Sequence, residues 1–569
     1  MTGARSPRGW AAVAPVGAAA ALFVALWAVT FRRWTDVVVD FGRELYVAWR
    51  ISAGEVLGRD IEWFSGALSA HVNALVFRSA GASLLALELW NTALALAVFG
   101  LAFALVAKLT TRWTAAVVIG SAIAVFGFGQ YGGIGNTNYI TPYSHEPVHG
   151  LLLGALSIVA AQRPGRLARA AAGLLLAATF LTKAEPFVAA CAGWIALHWR
   201  DAGVRRGLAL RAAAFGAALA AAYAALRAAL PPADAWQALV GPWRHMLGSE
   251  VIGAEFYAHL AGFDDPQRHA TTTLLWTCAW AGAIAAAALL SRVLKGHSRS
   301  LPLAVIGTVA GLALIDIEDL LDVGRPTALA TAVAALALRC RAEALAWCAF
   351  ALAWLPKLGL RQSFVFYGFV HTLPAYCVLG ASLWCGLAAR LERSARGSAA
   401  PYRAVVAGLL LALSVAHVRA TLFWRQFKTE PVGSAGDTLL ADGRGDEVAA
   451  ALAWLLENTQ PHETVLVVPE GLTLNYWARR RTPTRYLGFM PTELEMFGEH
   501  AVIAALEQNP PATVVVVHKD TSDYGARFFG QDYGRDLAAW LAARYQPVVS
   551  FGATPFVDWR FGVVVMRPR

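Results

Sequence analysis

Apolar residues along this 569-residue chain come in long unbroken blocks. A bilayer core needs about 20 mostly apolar residues per helix. Thirteen runs approach that pattern: 11–30, 85–107, 113–129, 147–162, 169–182, 187–199, 208–229, 271–291, 302–317, 327–338, 342–356, 364–388 and 404–422. They predict a mainly α, polytopic membrane bundle of about thirteen spans within a domain covering 1–428. The first run follows Arg5 and Arg8 and is long for a signal peptide, so it reads as an uncleaved anchor. A long loop at about 31–84 separates the first two spans. In it, DFGRELYVAWR (40–50) reads as an amphipathic helix at the membrane surface, with Tyr46 and Trp49 as interfacial aromatics. Beyond residue 433 the pattern changes. GSAGD (433–437) and DGRGDE (442–447) read as a linker. Helices at 446–458, 472–480, 499–509 and 534–545 then alternate with strands at 464–468 and 513–517 and two near 547–551 and 561–566. That alternation predicts a small α/β domain over 433–569.

Composition narrows the class. Hydrophobic residues make up 57% and charged residues 15%, against about 25% charge in soluble domains. An ordinary soluble enzyme, a disordered chain and a nucleic-acid module are excluded. The net charge of +10 follows from topology. Basic residues crowd alternate turns: Lys108 and Arg112; Arg163, Arg166 and Arg169; Arg200, Arg205 and Arg206; Arg292, Lys295 and Arg299; Arg339 and Arg341; Arg390, Arg393, Arg396 and Arg403. The other turns carry most of the acids, from Asp36 and Asp40 to Asp319 and Asp322. By the positive-inside bias the N-terminus is cytoplasmic, and an odd number of spans makes the C-terminal domain extracytoplasmic. The expected location is the cytoplasmic (inner) membrane, with the bilayer and no nucleic acid as partner. The six cysteines lie in or beside apolar runs without a CxxC pair, which argues for packing and against disulfides or zinc.

Candidate chemistry gathers on the acidic side. Asp40, Arg43, Glu44 and Tyr46 lie in the first loop, followed by Asp60, Glu62 and His71 in GRDIEWFSGALSAHVNAL (58–75). His145, Glu146 and His149 stand at a helix start in NTNYITPYSHEPVHG (136–150). The string HEPVH is not the HExxH zinc motif, since its spacing differs and Pro147 interrupts it. In FLTKAEP (180–186), Lys183 sits at the end of an apolar helix, where an ionisable group is costly unless paired and suits a phosphate ligand. The run IDIEDLLD (315–322) puts Asp316, Asp319 and Asp322 near one helix face and reads as the polar end of a span. Arg32, Arg33, Arg325, Lys357 and Arg361 also lie on the acidic side.

DFGRELY, GRDIEW, YSHEP, LTKAEP and the later HTLPAY (371–376) occur in an order that resembles the GT-C-type polytopic glycosyltransferases. The resemblance is to bacterial relatives of the dolichyl-phosphate-mannose protein mannosyltransferases and to the lipid A aminoarabinose transferase. It implies transfer of a sugar from a polyprenyl-phosphate donor to a glycan, lipid or protein acceptor on the outer face, with inversion. It implies catalytic roles for Asp40 and Glu146, donor-phosphate contacts from Lys183 and Arg43, and a site lined by Tyr46, Asp60, His145 and His149. Asp40 and Glu146 would be the ligands of a divalent metal where one is used. Relatives carry a second acid after the first; Phe41 stands there in this chain. A transporter or lipid flippase predicts charges in mid-span and repeat symmetry, whereas these charges cluster at one face. An envelope assembly factor would tolerate neutralising Asp40.

Overall fold

The computed structural model describes residues 9–133, 136–200, 207–248, 255–293, 300–315, 318–338, 341–393 and 399–569. Asp316 of the acidic run, Cys340 and several of the basic turn residues lie outside them. Each of the thirteen apolar runs contains helix among the described residues. The chain runs through α1 (Gly9–Thr30), α2 (Phe41–Ser52), α3 (Ala67–Ala80), α4 (Leu84–Leu109), α5 (Arg112–Ala122), α6 (His145–Gln162), α7 (Arg166–Phe180) and α8 (Ala184–Arg200). It continues through α9 (Leu208–Arg227), α10 (Pro232–Gly248), α11 (Glu255–Ala261), α12 (Pro266–Val293), α13 (Ser300–Leu314), α14 (Thr327–Leu338) and α15 (Ala342–Trp354). Then come α16 (Gly368–His371), α17 (Leu373–Ala381), α18 (Ala388–Arg393) and α19 (Ala399–Arg425). Six helical segments among the described residues are long and apolar enough to cross a membrane, and several of the others are shorter. The chain is a multi-pass membrane protein.

The bundle has two ends of different character. At one, Lys108 at the end of α4 pairs with Glu343 at the start of α15 (2.6 Å). The other carries α2, α3, α10 and α11 and is capped by residues 430–569. Strands β1 (Glu430–Val432) and β2 (Leu439–Ala441) form an antiparallel hairpin. Beyond it lie α20 (Gly445–Asn458), β3 (Val465–Val468), α21 (Leu472–Ala478), α22 (Pro491–Phe497), α23 (Glu499–Gln508), β4 (Thr513–Val517), α24 (Arg535–Arg544), β5 (Tyr545–Gly552) and β6 (Gly562–Pro568). The four-stranded sheet has the order β3-β4-β6-β5, with β3 and β4 parallel and the other pairs antiparallel.

Alternation along these strands builds two cores. Val465, Val467, Val515, Val517, Val563 and Val565 face a layer that includes Phe41, Leu45 and Tyr46 of α2 and Phe77 of α3. Leu466, Val468 and Val514 face the opposite layer with Leu506, Leu537 and Trp540. The first loop and the C-terminal unit therefore share one hydrophobic core.

Two expectations change. The residues read as a linker are ordered: GSAGD is the turn of the β1–β2 hairpin, and Arg444 of DGRGDE pairs with Asp442 (2.7 Å) and with buried Asp36 (2.6 Å). Also, α2 does not lie on the membrane surface. Tyr46 is buried, and its hydroxyl accepts the Thr482 N–H (2.9 Å). Trp49, the other aromatic read as an interfacial anchor, is half-buried and packs against Tyr476 (6.4 Å). The reason is visible at Gly42, where an added Cβ would lie 2.5 Å from the Thr473 nitrogen. Only glycine lets α2 and α21 approach that closely.

Candidate active site

The site begins with a turn. Asp36 Oδ1 accepts the N–H groups of Val38 and Val39 (both 2.9 Å), and Asn136 clamps the same segment through the Asp36 N–H (2.9 Å) and the Val39 carbonyl (2.7 Å). The chain then reverses at Asp40, whose φ of 58° and ψ of -68° lie in a region that L-residues rarely occupy. The Phe41 N–H donates to the Val39 carbonyl at 2.7 Å, which makes Asp40 the centre of a positive-φ γ-turn. Strain of this kind costs about 1–3 kcal/mol and gathers at functional sites. Asp40 precedes the first residue of α2, yet its side chain makes no capping hydrogen bond. The carboxylate is thus left for other work. Burial, and after it the charge of Glu470, push Asp40 up to about 7 against the pull of Arg43 and Lys519.

The next turn of α2 adds Arg43 and Glu44. Arg43 pairs with Glu493 (3.4 Å) and stacks on Phe64 (5.0 Å). Glu44 is buried, and its carboxylate accepts the Asn73 side-chain N–H (3.4 Å). Burial, reinforced by Glu146, pushes it well above the usual carboxylate range. At the start of α6, Glu146 is buried and accepts the Ser144 hydroxyl, while its other oxygen has no protein partner. His145 lies behind the acids, its ring held by the side-chain amides of Asn73 (2.6 Å) and Asn91 (3.1 Å).

Cations come from two further segments. Leu181 and Thr182 accept backbone N–H groups of Leu68 and Gly66 (3.1 and 2.9 Å), which fixes Lys183 just before α8. Burial pushes the Lys183 ammonium below its ordinary value, and Lys357 adds to the shift. Lys357, in the turn after α15, pairs with Glu185 (2.8 Å) and faces the Tyr367 ring (5.4 Å). Tyr367 packs on Tyr143 (4.4 Å). Tyr524 of the C-terminal unit stacks on Phe256 of α11 (4.2 Å). Asp40, Arg43, Glu146, Lys183 and Lys357 are thereby joined through mutual electrostatic reach. A carboxylate poised near neutral pH beside several cations can accept a proton and steady a developing anion.

No family model matches the chain, and no curated protein matches it. Solved structures do. The crystal structure of ArnT from Cupriavidus metallidurans bound to undecaprenyl phosphate aligns with 97% of this chain and 98% of its own, at 14% identity and a TM-score of 0.51. The Archaeoglobus fulgidus oligosaccharyltransferase, in complex with zinc and sulfate, aligns with 96% of this chain and 72% of its own, at 16% identity and a TM-score of 0.50. This chain has the GT-C fold.

Of the residues singled out in the sequence, the GT-C bundle brings Asp40, Arg43, Glu146 and Lys183 together, with His145 directly behind. His149 is buried and held by Ser69 (2.9 Å). Tyr46 points into the shared core and Thr482. Asp60 is not brought to the cluster: it pairs with Arg59 (2.7 Å) and accepts the Val56 N–H (2.9 Å), closing its own turn. Asp322 pairs with Arg325 (2.6 Å). Glu44, named in the sequence only as part of the charged first loop and given no role, lies one helical turn from Asp40. Lys357 was legible only as a cation on the acidic side. Glu470, Glu493, Lys519 and Tyr524 carried no local signal, because they enter from strand and helix ends more than 400 positions away.

Among the described residues no group of three or more metal-ligating side chains converges. His145 is engaged by two asparagines, and Arg43 already lies within the field of Asp40, Glu44 and Glu146. An apolar cavity of about 100 Å³ lies elsewhere in the bundle, between α4, α6, α15 and α17, and includes Val98, Leu151, Phe350 and Leu373.

Proposed function

We propose that this protein is a membrane glycosyltransferase that moves a sugar from a polyprenyl-phosphate donor to an acceptor at the extracytoplasmic face of the inner membrane. The observation that carries the reading is one carboxylate, Asp40, raised toward neutral pH beside Arg43, Lys183 and Lys357 at the polar end of a GT-C bundle. The likeness to a structure of ArnT bound to undecaprenyl phosphate supports the choice of donor. In this mechanism the donor's tail stays in lipid and its phosphate meets Lys183, with Lys357 and Arg43 adding positive field. Asp40 takes the proton from the acceptor hydroxyl. The acceptor oxygen bonds to the anomeric carbon as the bond to phosphate breaks. Polyprenyl phosphate departs with the electron pair, and attack from the opposite face inverts the centre. Glu146 lies within electrostatic reach of Arg43 and helps to hold it in place. Burial, reinforced by Glu146, favours a proton on Glu44, which leaves Asp40 as the base.

The test uses purified protein in lipid nanodiscs with a panel of polyprenyl-phosphate sugars and an envelope extract as acceptor. Release of polyprenyl phosphate by the wild type is expected. It falls about 10²–10⁴-fold in Asp40→Asn, the range for loss of a general base, while donor binding persists. Equal release by both proteins removes Asp40 from catalysis. Failure of every donor to bind overturns the reading.

A further inference from the structure

The strings VVPEGLTLNYWARR (467–480) and HKDTSDYG (518–525) follow two neighbouring parallel strands, β3 and β4. Crevices for function form where such strands end. Here the strand ends deliver Glu470 and Lys519 to Asp40. Glu470 Oε1 accepts the Asp40 backbone N–H at 2.8 Å, across 430 positions of chain. Lys519 Nζ holds the other oxygen of the same carboxylate at 2.8 Å.

We propose that Glu470 is a positioning residue for Asp40: it fixes the aspartate in its positive-φ turn and, with Lys519, sets the charge that its carboxylate faces. The proposal rests on reading Asp40 as the acceptor's base. It makes the C-terminal unit part of the active site rather than an appendage.

Three observations carry it. First, in the γ-turn the Phe41 N–H is satisfied within the turn, but the Asp40 N–H is not, and Glu470 is its acceptor. Removal of that acceptor leaves a half-buried donor unpaired in a conformation already under strain. Second, the acceptor is held firmly. Lys519 grips Glu470 from the next strand, and Gly42 meets the Thr473 backbone too closely for any side chain to intervene. Third, the surroundings are charged on every side. Asp40 is faced by Asp36 from its own loop, by Arg43 and Glu44 from α2, and by Glu470 and Lys519 from the C-terminal unit. Tyr143, Tyr367 and Tyr524 face it as well. Within this set Glu470 raises the proton affinity of Asp40 more than any other charge does. A glutamine at 470 would keep an oxygen for the N–H but remove the repulsion, and it would free Lys519 to attract Asp40 instead.

The experiment uses full-length protein in nanodiscs as wild type, Glu470→Gln and Glu470→Ala. Infrared difference spectra follow the Asp40 carboxyl as pH is varied, its band assigned by subtraction of Asp40→Asn. The same proteins are assayed for kcat and donor KM against pH. In Glu470→Gln the Asp40 titration is expected to move to lower pH by about one unit, the scale of a nearby charge, and the acid limb of the rate profile to move with it. In Glu470→Ala kcat is expected to fall about 10–100-fold, the cost of misplacing a reacting group, with donor KM little changed. Glutamine restores part of that loss. A purely structural contact would lower the unfolding temperature of both variants and leave the titration where it was. An unmoved Asp40 titration in Glu470→Gln overturns the proposal, as does wild-type kcat in Glu470→Ala. A wild type that transfers no sugar removes the glycosyltransferase reading, and the infrared titration still decides the role of Glu470.

Discussion

Asp40 combines a strained backbone, an unused capping side chain and a raised proton affinity. Each would be selected against in a residue that served only the fold. Burial and the charge of Glu470 push its carboxyl up to about 7 in the folded protein, against about 3.9 in an unfolded chain. The folded state therefore binds the proton more tightly, and this stability is lost as pH rises from about 4 through 7. Asp40→Asn is expected to unfold at a higher temperature than wild type at pH 8, with the gain vanishing near pH 4. Thermal scans in detergent at both pH values check this, and a gain independent of pH would contradict it. Lys183 gives a second prediction. Lys183→Ala should weaken binding of polyprenyl phosphate itself by about tenfold or more, on the scale of a charged hydrogen bond. Lys183→Arg should retain part of the affinity. Titration of short-chain polyprenyl phosphate into nanodisc protein distinguishes the two.

Two contacts between elements hold α2 in register with the C-terminal unit. At the first, Gly42→Ala would force its Cβ against the Thr473 backbone. Overpacking of that kind costs about 1–3 kcal/mol, and the variant should lose activity along with stability because Asp40 is two residues away. Denaturation and kcat on one preparation test the link. At the second, Arg444 neutralises Asp36, which is fully buried. Burial pushes Asp36 up, but Arg444, Lys428 and the Val38 N–H outweigh it and hold the carboxyl at about 2. Because its folded value is depressed, this pair stabilises the protein above about pH 4, and the contribution fades as pH falls toward 2. Arg444→Ala strands a buried charge and should cost about 3–5 kcal/mol at pH 7, shrinking below pH 4.

At the scale of the whole molecule, the polar end of the bundle and the α/β unit form one body around the site. The basic turns predict that this body is extracytoplasmic. A phosphatase fused after Arg569 should be active in cells, and a green fluorescent protein at the same position should be dark. The reverse pattern would invert the topology and place the chemistry on the cytoplasmic side.

The chain by itself determined the helical character of the bundle and the alternation of helix and strand over much of the C-terminal unit. These follow from local information: runs of apolar residues long enough to leave water, and short valine-rich runs between polar turns. That Asp40, Arg43, Glu146 and Lys183 belong to one site was implied by the resemblance in motif order, since local pattern does not set distances between segments. Glu44 was within reach of the same reasoning, since one helical turn carries it to the face of Asp40. The ordered hairpin at 430–441 was not, because GSAGD is as good a turn as it is a linker until its neighbours pack. Nor was the burial of α2, whose amphipathic pattern fits a membrane surface and a protein surface equally well. Tertiary structure alone decided which surface it meets, and with it which charges face Asp40. Glu470 and Lys519 reach the site because two parallel strands end above it, and Glu493 reaches it from the first turn of α22. Electrostatic coupling depends on distance in space, and distances across 430 positions are set only when the shared core closes.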